Sequence, residues 1–197
     1  QNTLEQQFDF AKKFLNQERY FDAITEFKRL QFFDNENTFA FQSNLLIAKS
    51  YKAGAKLDDA IKYFVLAEIN AASDDEYFIA KTLNARSNIL RRTTKQAERI
   101  LNDLLIDPRF KSNEEEIKYW MGWNYLFSDE WDKAYEILDK INADTGLVNL
   151  CKFVHDEMYS VDFAKYSSYI IPGFGQFYTG EYISGALSLG WNILFGY

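Results

Sequence analysis

The stretch that decides the fold is Glu18-Arg19-Tyr20-Phe21-Asp22-Ala23-Ile24, because its outline returns along the chain at a fixed interval. Its alanine has counterparts in three further copies, each 37 residues after the last: Ala60, Ala97 and Ala134. The positions four and seven residues after the alanine are apolar in every copy. Apolar residues with this spacing form one face of a helix. The sequence therefore predicts a repeat protein.

A second periodic set lies upstream of each alanine and predicts a second helix in each repeat. It is centred on a small residue that also returns every 37 positions: Ala11, Ala48, Ala85 and Gly122. Two amphipathic helices per repeat leave no place for alternating strands, and we predict an all-α fold. The repeats cover about residues 4–37, 41–74, 78–111 and 115–143. Gly54, between the helices of the second repeat, is expected to take the left-handed conformation that commonly closes a helix.

Composition excludes several classes of function. A chain that is 47% hydrophobic can bury a core, and a formal net charge of −7 argues against nucleic acid, which needs clustered Lys and Arg. Cys151 and His155 are the only cysteine and histidine, so the sequence supplies neither a disulfide nor a zinc ligand set. No nucleophile with a base and no converging carboxylates are evident. We therefore predict a non-catalytic protein with no cofactor and no metal.

The repeats resemble the tetratricopeptide repeat family. In the first helix of a repeat, the resemblance rests on a small residue that is followed three positions later by an aromatic residue. In the second helix it rests on an aromatic residue, an alanine, and a phenylalanine or leucine. It is closest at residues 18–24 and 56–61 and covers about residues 3–142. It implies a right-handed solenoid of helix pairs.

The chain departs from that family in two ways. Its repeat is 37 residues long instead of about 34. The third copy carries Asn84, Asn88 and Thr94 where apolar residues are expected. One interpretation is that the first helix of this repeat is shifted by one residue and uses Leu83 and Ile89.

The same resemblance implies a concave groove, lined by the first helices, that binds an extended peptide or a helix of a partner protein. Transferred to this sequence, the groove positions one residue after each small residue are Lys12, Lys49, Arg86 and Trp123. Neighbouring lining positions include Tyr119, Lys52 and Leu126. Three cations in register on an acidic chain predict a ligand segment that is acidic or bears a carboxylate. The alternative is that these are ordinary solvated helix positions.

The repeats are followed by two segments of different character. Residues 144–166 are predicted to form a capping helix, about Leu147 to Tyr159, that covers the last apolar face of the solenoid. Residues 167–197 contain a single charged residue, Glu181, and their last sixteen residues are uncharged. As a helix these sixteen would measure about 24 Å, which is short of the roughly 20 residues that span a bilayer.

The sequence Pro172-Gly173-Phe174-Gly175-Gln176-Phe177-Tyr178-Thr179-Gly180, with Gly185, resembles the start of small membrane-hairpin domains, in which two hydrophobic helices flank a short turn. The resemblance covers about thirty residues, and its aromatic side chains are of the kind favoured at a membrane interface. Burial within this chain and docking on a partner chain are the alternatives. The predicted membrane or partner segment comprises Tyr169, Pro172, Gly173, Phe174, Gly175, Phe177, Tyr178, Tyr182 and Trp191.

These observations predict an interaction scaffold that is exported and associates with a membrane through residues 167–197. The chain begins at Gln1, as a protein does after a signal peptide has been removed, and the alternative is a protein that was expressed without its leader. We expect it on the periplasmic side of a bacterial cell envelope, in an assembly or secretion complex, with the choice between inner and outer membrane open. The alternative is a soluble subunit of an obligate hetero-complex whose apolar tail is buried by a partner chain.

Overall fold

The computed structural model describes residues 3–157 and 161–195, and all secondary structure in these ranges is helical, which confirms the predicted all-α class. A 3₁₀ helix, Pro108–Asn113, precedes the seventh α-helix. The α-helices in chain order are α1 (Leu4–Asn16), α2 (Tyr20–Phe33), α3 (Ala40–Ala53), α4 (Leu57–Ile69), α5 (Asp74–Leu90), α6 (Thr94–Ile106), α7 (Glu114–Phe127), α8 (Trp131–Lys140), α9 (Thr145–Glu157), α10 (Val161–Ile170), α11 (Phe174–Tyr178) and α12 (Tyr182–Phe195).

The chain divides into two compact units, residues 1–151 and 152–197. In the first unit, each helix from α1 to α7 packs against the helix that follows it. The odd-numbered helices also approach one another, since α3 contacts α5 and α5 contacts α7. The described helices of this unit are therefore stacked as consecutive pairs whose first members lie close together.

Small residues bring the two helices of each pair into contact. In three pairs the small residue of the first helix and the alanine of the second are both fully buried in one apolar cluster: Ala11 with Ala23, Ala48 with Ala60, and Ala85 with Ala97. In the fourth pair Gly122 faces α8, and a Cβ atom at this position would lie 2.5 Å from Cδ2 of Leu138. Only a glycine therefore fits here without moving a buried leucine.

The backbone repeats with the same interval as the sequence. The residue two places before each second helix has a left-handed φ: Glu18 (58°), Ala55 (57°), Arg92 (63°) and Asp129 (60°). The next amide N–H donates to the carbonyl five residues earlier, as in a Schellman motif: Arg19 to Phe14 (3.0 Å), Lys56 to Tyr51 (2.8 Å), Thr93 to Asn88 (2.9 Å) and Glu130 to Tyr125 (2.9 Å). One turn geometry thus closes all four first helices.

The left-handed conformation predicted for Gly54 is wrong, because its φ is −80°. Ala55 occupies the left-handed position instead, since the turn keeps the same place in every repeat. A Cβ in this region costs about 1–2 kcal/mol per residue. The geometry of the repeat therefore imposes strain on an alanine while an adjacent glycine stays unstrained.

The turn at Arg92 shows that the third repeat keeps the register of the others, although Ile89, one of the two residues that the suggested one-residue shift used, is buried as that interpretation expected. Asn84 and Asn88 are buried at the positions that the 37-residue interval assigns to them, whereas Leu83 is only half-buried. The Asn88 amide donates to Oδ1 of Asn84 at 2.9 Å, and the Asn84 amide donates to Oε1 of Glu68 on α4 at 2.8 Å. The Thr93 hydroxyl donates to Oδ1 of Asn88 at 2.8 Å. Because these polar groups bond one another, they can occupy the core without a register change.

Two further predictions concern the chain after the repeats. Leu147, Val148 and Cys151 of α9 pack into the cluster formed by α7 and α8, where a capping helix was predicted. The last two residues of that predicted helix, Met158 and Tyr159, and the side chain of His155 lie outside the described part of the chain. The sequence analysis did not predict α10 as a separate helix.

The strained turn gives a test of the fold. Ala55→Gly removes a Cβ from a left-handed residue that is exposed, and we expect it to raise the free energy of unfolding by about 0.5–1 kcal/mol. The matched control is Ala53→Gly, an exposed position in the last turn of α3, which should lower the same quantity by up to about 1 kcal/mol. Urea unfolding of both variants measures the difference, and equal signs would show that the turn geometry is incorrect.

Candidate functional site

The structure brings four of the six predicted groove residues to one cavity of about 260 Å³. Lys52 of α3, Arg86 of α5, and Tyr119 and Trp123 of α7 all line it. The remaining lining residues are Ile89, Leu90, Trp120 and Phe127. We call this space, formed by α3, α5 and α7, the aromatic cavity.

Helical spacing explains the aromatic wall. Tyr119, Trp120, Trp123 and Phe127 lie on α7 at intervals of one, three and four residues, which place them along one side of the helix. Their rings touch in sequence: the centroids of Tyr119 and Trp123 are 6.4 Å apart, and those of Trp123 and Phe127 are 6.3 Å apart. All four side chains are half-buried, so the wall is shaped but still accessible.

The predicted residues Lys49 and Lys12 lie elsewhere. Lys49 lines a neighbouring cavity of about 540 Å³ that shares Arg86 with the aromatic cavity. Asp75 and Glu116 also line this second cavity, so its charges are mixed. The ammonium of Lys12 lies 5.5 Å from the ring centre of Phe8, and Lys12 lines neither cavity. The structure thus joins Lys49, Lys52 and Arg86 but not Lys12.

The three cations of this site lie close enough to affect one another. Burial, followed by the positive charges of Arg86 and Lys49, lowers the pKa of Lys52 below its usual value. In the described ranges, no carboxylate forms an ion pair with any of these three side chains. Other cations of the chain are paired, as Arg109 is with Asp74 at 2.7 Å. The arrangement therefore favours the approach of an anion.

Arg86 is held by the aromatic wall. Its guanidinium lies over the Trp120 ring, 4.0 Å from the ring centre, a geometry that contributes about 0.5–1 kcal/mol at an accessible site. The guanidinium lines both cavities. A planar group positioned in this way is well suited to donate two parallel hydrogen bonds to a carboxylate.

Sequence reasoning missed part of this wall. Leu126 was predicted as a lining position, but it is buried in the cluster between α7 and α8, and its neighbour Phe127 lines the cavity instead. Phe127 and Leu90 are equivalent positions of successive repeats, 37 residues apart, so the interval relates them to each other but does not show which face of the helix they occupy. Trp120 follows Tyr119 directly, and no periodic signal distinguished it.

The cations and aromatic rings of the site are groups that can bind a ligand. Within the ranges that the structure covers, no group of three or more His, Cys, Asp or Glu side chains is placed to hold a metal ion. Burial raises the pKa of the Cys151 thiol, which keeps it protonated near neutral pH. The absence of catalysis, cofactor and metal stays a prediction.

The predicted membrane or partner segment belongs to the second unit, where α10 packs on α11 and α11 on α12. Gly173 has a φ of +92°, and a Cβ there would collide with the carbonyl oxygen of Gly185 on α12. A Cβ on Gly175 would collide with the Ala164 carbonyl oxygen and the Ser168 hydroxyl of α10, and that hydroxyl accepts a hydrogen bond from the Gly175 amide at 2.9 Å. The glycines of the quoted motif therefore allow close helix contact.

The same unit presents a large apolar surface. Tyr169, Tyr182 and Trp191 of the predicted segment are exposed, whereas Pro172, Phe177 and Tyr178 are half-buried. Phe174 is exposed in a smaller fraction, at 39%. Ile170 and Ile183, which the prediction omitted, are 82% and 79% exposed. Helices of the described chain include none with the length and hydropathy needed to span a membrane.

The crowded cations give a stability test. We expect Lys52→Met to raise the free energy of unfolding by a few tenths to about 1 kcal/mol, because it removes a repelled, half-buried charge. The folded-state pKa of Lys52 is lowered, so the cost of its charge is present below that pKa and is lost as pH rises through it. The gain should therefore be largest near neutral pH and disappear at alkaline pH.

The control for this test is Lys62→Met on α4, an exposed lysine outside both cavities, which should not stabilise the protein. Thermal and urea unfolding at two pH values and two salt concentrations measure both effects. A Lys52→Met protein no more stable than the Lys62→Met control at low salt would show that the three cations do not repel one another.

Comparison with models of known protein families, with curated proteins and with solved structures finds no match to this chain.

Proposed function

We propose that this protein is a non-catalytic interaction scaffold whose odd-numbered helices bind an acidic segment of a partner protein. The observation that carries the proposal is a group of three neighbouring cations beside the aromatic cavity, Lys49, Lys52 and Arg86, none of which forms an ion pair within the described residues. On a chain with a net charge of −7, such a group is a local exception. Binding of an anionic segment would offset the repulsion that the free protein carries.

The proposal includes a tetratricopeptide-like right-handed solenoid for the first unit. Three features support it: consecutive helix pairs, small residues at the contact within each pair, and a turn repeated every 37 residues. In a stack of helix pairs, the first helix of each pair contacts the first helix of the next pair, and these first helices line the inner surface. Here these are α3, α5 and α7, the helices that carry the cations and the aromatic wall.

The shape of the site favours a peptide or helix over a small molecule. The cations are distributed over two adjacent cavities that meet at Arg86, so a ligand that reaches all three must extend along the surface. Extended peptides and amphipathic helices bind grooves in this way, with side chains entering successive depressions. An acidic peptide or helix therefore fits the site better than a compact metabolite.

For the second unit we propose association with a membrane surface. Its support is the exposure of Ile170, Tyr182 and Ile183 on a segment that contains one charged residue between 167 and 197. Exposed apolar side chains in such number are unfavourable in water and are typical of membrane or protein interaction sites. Location on the periplasmic side of a bacterial envelope, within an assembly or secretion complex, stays a prediction.

The alternative function has the same support. In an obligate hetero-complex, a partner chain would cover the apolar residues of α10 and α12 that a membrane would otherwise cover. The two cases differ in what the full chain does when no partner is present, because only the first gives binding to lipid alone.

The first experiment tests the cation site. The probe is an acetylated and amidated ten-residue peptide of alternating Glu and Ser, compared with the same peptide in which Gln replaces Glu. We expect the acidic peptide alone to perturb the NMR signals of α3, α5 and α7. Replacing Lys49, Lys52 and Arg86 together by Ser should weaken its binding about tenfold at low salt.

The control carries the same charge change at Lys13, Lys62 and Lys111, which are exposed and line neither of the two cavities. It should bind the acidic peptide as the original protein does. Equal losses in the two triple variants would mean that the peptide responds to net charge only, and the proposal would be wrong.

The second experiment tests the apolar surface with vesicles of phosphatidylcholine, which carry no net charge. We expect the full chain to sediment with them, and the double change Ile183→Lys and Leu187→Lys to release it, because both side chains are exposed on α12. Ser184→Lys, an exposed polar position on the same helix, is the control. A full chain that stays in solution but self-associates would favour the partner-buried alternative.

A further inference from the structure

The lining of the aromatic cavity indicates that its ligand carries an apolar group in addition to a negative charge. Its walls are apolar: Ile89 and Leu90 form one side on α5, and Trp120, Trp123 and Phe127 form the other on α7. Ile89 is buried beneath the cavity, while Leu90 is 47% exposed at its rim. A carboxylate alone would gain nothing from these walls and would lose part of its hydration beside them.

The size of the cavity indicates what fits. Sites that enclose a whole small-molecule ligand usually measure about 300–1,000 Å³. The aromatic cavity, at about 260 Å³, lies just below that range and is open to solvent along the groove. It suits a single large side chain that enters from a segment bound outside.

The geometry of the aromatic rings favours an aromatic guest. The planes of Trp123 and Phe127 are inclined at 60°, and those of Tyr119 and Trp123 at 76°, so ring edges and faces are both presented to the cavity. A further ring can therefore make edge-to-face contacts, which stabilise aromatic pairs beyond the area that they bury.

The cations lie at the same cavity. Lys52 and Arg86 both line it, and the Arg86 guanidinium is already placed over the Trp120 ring. When a side chain of the ligand enters the aromatic cavity, the residues next to it in the ligand's sequence therefore lie within reach of two positive charges. The site is complementary to an apolar side chain with a carboxylate beside it.

We propose that the partner segment is anchored in the aromatic cavity by one bulky, preferably aromatic side chain whose neighbour in sequence is an Asp or Glu that pairs with Arg86 and Lys52. This inference rests on the proposed function, because it specifies the acidic segment that the groove binds. It adds an anchor and a register: the aromatic cavity takes the side chain, and the adjoining 540 Å³ cavity takes the chain that leads to or from it.

The test compares three acetylated and amidated nine-residue peptides. The first is Ser-Glu-Ser-Glu-Phe-Glu-Ser-Glu-Ser, the second has Ser in place of Phe, and the third keeps Phe but has Gln in place of every Glu. Binding to the full chain is followed through the indole N–H signals of the tryptophans. We expect only Trp120 and Trp123 to shift, because Trp131 and Trp191 do not line the cavity.

Burial of one Phe side chain predicts that the first peptide binds at least about tenfold more tightly than the second. The third should also bind at least about tenfold more weakly than the first, because its Gln residues cannot pair with the cations. Trp123→Ala should reduce the first peptide's affinity to near that of the second. Leu90→Ser, at the exposed rim, should act in the same direction with less risk to folding, and Ile69→Ser, exposed on α4, is its control.

Each other outcome overturns the inference in an identifiable way. Equal affinity of the first and second peptides would show that no aromatic anchor exists and would leave the proposed function intact. If neither acidic peptide binds, both the anchor and the proposed function are wrong. Equal affinity of the first and third would show that the cations do not take part. Phenylacetate binding as tightly as the first peptide would make this a small-molecule site. Concentration-dependent shifts of Trp120 and Trp123 without peptide would identify a second copy of this chain as the occupant.

Discussion

The structure depends on close contact between two helices at a pair of small residues in each repeat. Ala11 with Ala23, Ala48 with Ala60, Ala85 with Ala97, and Gly122 against α8 bring the helix axes together, and every one of these residues is buried. Dispersion forces at such contacts are lost when atoms are moved apart by a fraction of an ångström. The small residues therefore determine which side of each helix faces its partner.

That choice of side positions the candidate site. A residue that follows the small residue is rotated by about 100° around the helix, away from the contact within the pair. Lys49, Arg86 and Trp123 hold this position in successive repeats. Because α3, α5 and α7 approach one another, side chains that rotate in this direction converge on neighbouring cavities. The site therefore arises because the two helices of each pair pack in the same way at a constant interval. Its specificity comes from the residues that vary between repeats.

Two regions show how the repeat accommodates exceptions. In the third repeat the polar residues Asn84 and Asn88 replace apolar ones, and they remain buried because Glu68 and Thr93 complete their hydrogen bonds. Burial raises the pKa of the half-buried Glu68, while the bond from Asn84 and the charge of Lys81 oppose that shift. In the second unit, which lies outside the repeats, glycines stand where backbones meet, as at Gly173 and Gly185. There the contact involves main-chain oxygen atoms, which leave no space even for a methyl group.

The sequence by itself determined the helical class, the 37-residue interval and the residues that bury the core, because a helical period of 3.6 makes the buried face visible in a single chain. The resemblance to the tetratricopeptide repeat family, and not the interval alone, predicted Lys52, Arg86, Tyr119 and Trp123 as lining positions of one groove. Only the tertiary structure decided that Ala55 and not Gly54 takes the left-handed turn, since the demand comes from the turn common to all repeats and not from local preference. It alone placed Phe127 at the cavity and Leu126 in the core, because neighbouring residues on a helix differ by 100° and the period does not fix which of two apolar residues faces the next pair.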